Sequence, residues 1–204
     1  HRYSSAASDV YKRQLSTASA ASVTGLAFIS PIILLIKNHY NTSSNEVQLT
    51  ITIYLVAICI SQIFWGPLSD LIGRRVVLII GASLFSLGGI LASLNLAFEV
   101  FVFFRFLQGV GAAACLSMPR VMLTESYGVK KAAAKMSTLL AFMAIFPILS
   151  AAFGGYIGEN YGWQINFFTL FIFGGLVFSL NYLYSPETIK NKDKRLNFRT
   201  TFLD

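Results

Sequence analysis

The sequence predicts an all-α polytopic membrane protein built as a six-helix bundle. Two observations carry that prediction. Apolar residues make up 55% of the 204-residue chain and Asp, Glu, Lys and Arg only 12%, against about a quarter in a soluble domain; mean hydropathy is +0.63. The apolar residues also fall into six runs, each near the roughly 20 residues a helix needs to cross about 30 Å of hydrocarbon. The runs are continuous rather than alternating, which selects helices over membrane strands, because lipid offers no partner to exposed backbone groups.

Residues 1–14, HRYSSAASDVYKRQ, are polar, unpatterned and begin without Met. They read as a non-native or disordered N-terminal segment (a tag, vector or assembly scar) and are set outside the fold; the other reading is a basic cytoplasmic N-terminus. The expected spans follow at about 15–36, 47–66, 76–97, 100–122, 132–158 and 163–184. The first holds the small, polar stretch STASAAS, which suits close helix–helix contact. Gly88 with Ala92, Gly109 with Ala113, Ala151 with Gly155 and Gly154 with Gly158 repeat small residues at four-residue spacing, a packing signal in lipid. Cys59 and Cys115 lie inside apolar runs without ligand-like spacing and read as small apolar fillers. Residues 185–204 read as the start of a basic central cytoplasmic loop.

A net charge of +7 invites a nucleic-acid reading, but the basic residues sit between the apolar runs, so the partner is the lipid bilayer and not nucleic acid. Arg74, Arg75, Lys130, Lys131 and Lys135 occupy alternate gaps, and Lys190, Lys192, Lys194, Arg195 and Arg199 follow the last span; the opposite gaps hold only Lys37. The positive-inside rule then places both termini in the cytoplasm. Asn41-Thr42-Ser43, on the outer side, is formally a glycosylation acceptor and carries little weight.

Residues 66–75, GPLSDLIGRR, form the inner turn between the second and third spans. Gly66 and Pro67 are expected to stop the second helix, Asp70 to cap a turn or the next helix, and Gly73 to admit a crowded backbone. Arg74 and Arg75 sit at the membrane face within reach of an acid. Glu125, at the inner end of the fourth span, lies at the same depth and is expected to pair with one of them. Within the fourth span, Arg105, Gln108 and Gly109 share one helix face. A charge there costs about 3 kcal/mol on insertion scales, so Arg105 either faces the bundle interior or snorkels to the interface, about 8 Å along the helix from residue 100. Gly109-Val110-Gly111 lies in an apolar helix without the third glycine of a dinucleotide loop.

These motifs resemble those of the major facilitator superfamily. Gly66, Leu68, Ser69, Asp70, Gly73, Arg74 and Arg75 match its signature between helices two and three, which implies a charge-relay latch on the inner side. Leu71 departs from the usual basic residue and removes one charge from the latch. RFLQGVGAA, from Arg105, is similar to the fourth-helix motif, and the resemblance implies that Arg105 serves proton coupling or organises the central cavity. Ser150–Gly155 keeps the glycine pair Gly154-Gly155 of the fifth-helix antiporter motif without its Gly-Pro, while Pro147 stands one turn earlier as a helix-five kink. That arrangement is similar to the Bcr/CflA-like drug-resistance (drug/proton antiporter) branch, and SPETIKNKDKR resembles the ending that leads into the central loop.

The resemblance implies an N-terminal six-helix half of a secondary active transporter in a bacterial cytoplasmic (inner) membrane. It would export small amphipathic molecules or drugs by alternating access, with the proton gradient as energy source and a missing C-terminal six-helix half as partner. No cofactor, metal site or enzymatic activity is expected. Spans one, two, four and five would line the cavity, where Tyr54, Phe142 and Phe146 serve either as contacts or as ordinary packing aromatics. Residues 15–36 contain no acid, so a proton site must come from Arg105 with its partners, an end-of-span acid or the second half. Two alternatives stand: a sugar, osmolyte or metabolite symporter of the same family, and a self-contained six-helix scaffold or dimeric carrier.

Overall fold

In a medium without hydrogen-bond partners, each apolar run closes its backbone bonds within itself. The computed structural model, which describes residues 5–186 and residue 188 (side chains of 5–10 and 129–131 excepted), consists of helices throughout its membrane-length elements. They are α1 (Ser5–Ala27), α2 (Ile33–Tyr40), α3 (Ser44–Ile72), α4 (Arg74–Ala92), α5 (Phe98–Tyr127), α6 (Val129–Tyr161) and α7 (Trp163–Tyr184), with a 3-10 turn at Ser30–Ile32. Six units are long and apolar enough to cross a membrane, α1 and α2 together making the first.

Several elements depart from the sequence expectation; α5 and α6 also run past their expected ends of 122 and 158, to Tyr127 and Tyr161. The first span is broken: Pro31 enters a tight turn whose backbone closes through Ile29 N–H to Leu26 O and Ile32 N–H to Ile29 O, as a residue lacking an N–H demands. Its helix also starts at Ser5, and Tyr11 and Gln14 pack into the bundle; residues 1–4 of the leader lie outside the described residues. The second helix does not stop at Gly66-Pro67 but runs through them to Ile72. Pro67 removes one donor, the one that would reach Ile63 O, and membrane helices absorb such a loss. The third span ends at Ala92 rather than 97, because Asn95 takes a left-handed conformation (φ 55°) and its Oδ1 meets His39 Nε2 at 2.5 Å.

α5 is the central column: its contacts with α4 and α3 are the most extensive in the bundle, and α1 and α6 also lean on it. α7 closes the far side against α4, where Ser86 Oγ donates to Phe171 O (2.8 Å). Lipid tails are as apolar as Leu, so close packing rather than hydrophobic burial holds such helices together. At Gly88 of α4, a Cβ would meet Gln108 Cβ at 2.7 Å and Gln108 N at 2.8 Å; the two helices touch nearly backbone to backbone. On α6, Gly154 and Gly155 nest against Phe28 and Pro31 at the break in the first span, and Asn166 Nδ2 donates to Gly154 O (2.8 Å).

Gly88→Val is expected to destabilise the bundle by about 1–3 kcal/mol through overpacking, lowering the yield of monodisperse protein in detergent size-exclusion chromatography. Gly66→Ala, where a Cβ meets nothing within 4 Å, is expected to leave that yield unchanged.

Candidate functional site

The turn between α3 and α4 is a single residue. Gly73 has φ 111°, a conformation that L side chains rarely adopt, and its N–H bonds back to Ser69 O at 3.0 Å. Arg74 therefore begins α4 while standing over the last turn of α3. Its guanidinium pairs with Asp70 one helical turn back and with Ser69 Oγ, reaches Gly66 O at 3.4 Å, and meets Glu125 Oε1 of α5 through Nε at 3.2 Å. Glu125 accepts from Thr188 Oγ1 on its other oxygen, 2.6 Å away. Arg75 turns elsewhere and donates through Nη2 to Tyr182 O at the C-terminal end of α7 (2.5 Å), where a cation is favoured by the helix dipole. Asp70 sits in the last turn of α3 and does not cap α4; Gly73 holds the cap position without a side-chain bond. Leu68 is half-buried against the core and Leu71 is exposed.

The second group lies deep in the bundle. Arg105 is 0% exposed, which removes the snorkelling alternative. Its Nη1 donates to Gln108 Oε1 (2.5 Å), its guanidinium carbon stands 4.3 Å from the Tyr54 ring centroid and 5.7 Å from that of Phe167. Tyr54 is also fully buried, and its hydroxyl donates to Ser22 O of α1 (2.7 Å). Gly109, next along the same face, allows α5 to approach α3: a Cβ there would meet Tyr54 O at 2.6 Å. Among the described residues, Nε and Nη2 of Arg105 and Nε2 of Gln108 have no hydrogen-bond partner, although a buried charge ordinarily satisfies all of its donors.

The carboxylates of the described bundle stand at its ends. Asp70 and Glu125 belong to the Arg74 cluster, Glu46 forms a capping box with Ser43 at the start of α3, and Glu99 and Glu159 are exposed. The structure thus assembles two separate groups from the sequence candidates: Gly66, Asp70, Gly73, Arg74 and Glu125 at one membrane face, Arg105, Gln108 and Gly109 in the interior. Pro147 lies within α6, one turn beyond Met143, whose Sδ accepts from Arg120 Nη2 at 3.6 Å. Lys190, Lys192, Lys194, Arg195 and Arg199 lie outside the described residues.

A cleft of about 310 Å³ lies between α1, α6 and α7; it takes in Phe146 but neither Tyr54 nor Phe142. Phe142 stacks on Phe146 (5.5 Å between centroids) beside it. Tyr54 faces Arg105 because its hydroxyl is spent on α1. Two participants escaped the sequence reading as site residues: Thr188, signalled only by its place in the Pro-Glu-Thr segment, and Phe167, one aromatic among many on α7.

A family model described as Major Facilitator Superfamily matches residues 15–202. The chain is 31% identical over 148 residues to Multidrug resistance protein MdtL of Escherichia coli O81 (strain ED1a), covering 72% of this chain and 38% of that protein. It is 26% identical over 179 residues to a bicyclomycin resistance protein homolog of Haemophilus influenzae, covering 88% and 45%; the chain spans less than half the length of these relatives. In fold it is similar to the proton:xylose symporter XylE bound to 6-bromo-6-deoxy-D-glucose, with a TM-score of 0.82 and 17% identity over 91% of this chain and 46% of the symporter.

Arg74→Ala strands Asp70 and Glu125 together, and is expected to cost about 0.2–1 kcal/mol per ion pair lost at these partly exposed acids, a larger drop in detergent thermal-shift midpoint than Asp70→Asn or Glu125→Gln alone. At the interior group, Tyr54→Phe keeps the ring under Arg105 and forfeits one hydrogen bond of about 1 kcal/mol. Tyr54→Leu also removes a desolvated cation–π contact worth about 2 kcal/mol or more, so the Leu variant is expected to unfold at the lower temperature of the two.

Proposed function

The chain belongs to the Major Facilitator Superfamily, and from that premise we propose that it forms the N-terminal half of a secondary active transporter, a proton-coupled exporter of small amphipathic molecules. It is a multi-pass membrane protein; the proposed setting is a bacterial inner membrane, with both termini cytoplasmic by the charge asymmetry of its loops. The observation that carries the reading is Arg105, a guanidinium fully buried at membrane depth with two donor atoms unpartnered. A fixed charge in that position marks an ion or substrate pathway. The names of the relatives, which concern multidrug and bicyclomycin resistance, favour export over sugar uptake, and the short coverage of those relatives favours a half over a self-contained carrier.

In this reading the two groups divide the labour. Alternating access rocks one six-helix half against the other about a midplane site, which requires each half to move as a unit. The Asp70–Arg74–Glu125 cluster, with Arg75 on α7, ties the ends of α3, α4, α5 and α7 at one face. Arg105 supplies the interior charge: it holds an acceptor, or a carboxylate offered by the second half, in one state and releases it when that group is protonated in the other. The described interior of this half holds Arg105 without a carboxylate beside it, so in this reading the proton-binding acid is one at a helix end or one offered by the second half. Gly66 borders open space in this chain, a surface on which the other half packs.

The full-length gene, expressed in efflux-deficient bacteria, is expected to lower accumulation of an amphipathic fluorescent drug, and a protonophore to restore it. Arg105→Ala is expected to abolish export at unchanged membrane level, while Arg105→Lys, which keeps the charge but not the planar fork, retains a fraction. Export indifferent to the protonophore, or equal in the two variants, argues against the coupling role.

A further inference from the structure

The cleft between α1, α6 and α7 stands apart from both groups described above. Thr24 and Phe28 form its floor, Phe146, Ser150 and Phe153 one wall, and Phe173 the other. These positions fall toward the end of the bundle remote from Gly73, since α6 runs away from that face and α7 returns to it. α6 and α7 touch little along their length, so the cleft is a wedge left where two long helices diverge. No charged side chain lines it. Its two facing hydroxyls are coupled to each other, Ser150 Oγ donating to Thr24 Oγ1 at 3.4 Å, and Thr169 Oγ1 is spent on Ile165 O at 2.8 Å.

What the wedge opens onto follows from the surface around it. Leu149, Phe153, Tyr156, Phe168, Ile172 and Leu176 form an exposed apolar rim. The exposed Ser179 of α7 is folded back onto its own helix, its Oγ donating to Gly175 O (2.8 Å), the arrangement that hydrocarbon imposes on a polar group. Exposed polar side chains such as Gln62, Arg120 and Thr138 stand on α3, α5 and the opposite end of α6, and Glu159 and Asn160 lie beyond the wedge in the last turn of α6. The wedge therefore faces the bilayer.

We propose that this wedge is a lipid site that takes the hydrocarbon chain of a bilayer lipid. Moving a chain from bulk lipid into the cleft exchanges one apolar medium for another, so no hydrophobic gain drives it. The drive is packing: an empty wedge leaves its aromatic walls without partner atoms on one side, and a flexible chain restores those contacts. A volume of about 310 Å³ lies at the small end of ligand pockets and suits one chain segment rather than a whole amphiphile. Recognition is by shape, blind to the headgroup, and the bound chain props α6 and α7 apart.

The test is photolabelling of the full-length protein in bilayers, using phosphatidylcholine or phosphatidylglycerol with a diazirine at mid-chain, and mapping adducts by mass spectrometry. Adducts are expected to concentrate on the segments of Phe146–Phe153 and Phe173 with either headgroup. Thr169→Trp, which fills the wedge from α7, is expected to lower that labelling about tenfold, and Leu149→Trp to do the same from α6. Leu87→Trp on the exposed face of α4 leaves it intact. Labelling spread evenly over all exposed apolar faces, unchanged labelling in both filling variants, or dependence on the headgroup overturns the proposal. Absence of label in the wedge assigns it to a protein neighbour, and displacement of the label by an exported drug assigns it to substrate; either result also overturns it.

Discussion

A guanidinium has to be accommodated inside a bundle whose surroundings cannot solvate it, and the arrangement of four helices answers to that demand. Arg105 stands on α5; α3 brings the Tyr54 ring beneath it, α1 holds Tyr54 in place through Ser22 O, and α7 adds the Phe167 ring. Gly109 is what lets α3 come near enough, since a side chain there would strike the Tyr54 carbonyl. The charge is stabilised by ring faces and one amide oxygen rather than by a counter-ion. That choice leaves Nε and Nη2 of Arg105 without a hydrogen-bond partner among the described residues.

The Arg74 cluster solves a different problem at the membrane face. There Arg74 gathers acceptors from two helices, and Glu125 passes the linkage on to Thr188 beyond α7. The Arg74 side chain is 13% exposed while Asp70 and Glu125 are 35% and 31% exposed, so the arginine is held and its acids keep enough water for the ions to be tolerated. The two groups share no residue, yet both rest on α5, so a shift of that column registers at both.

Much of this was legible in the sequence, and the exceptions share a cause. Hydropathy located all six membrane crossings because lipid enforces one rule along the whole chain. Opposite charge at equal depth pointed to Glu125, and its oxygen lies 3.2 Å from Arg74 Nε. The errors fall where local rules meet a medium that overrides them. Gly66-Pro67 reads as a stop because Pro67 lacks the N–H that would reach Ile63 O; a membrane helix absorbs one such loss, and α3 runs on to Ile72. Pro31 went unremarked within an apolar run, although there the chain does break. Tyr54 was noticed as an aromatic, but its work depends on Ser22, 32 residues away, a relation that no local pattern expresses.

The one-residue turn at Gly73 has a mechanical consequence. A linker of several residues can bend, twist and dissipate displacement; a single residue fixed at φ 111° has no slack. α3 and α4 are in effect one folded rod, and a push at the far end of either is delivered undamped to the other. Lengthening that turn by even one residue would turn a rigid elbow into a loose joint, leaving every helix intact and the transmission between them lost.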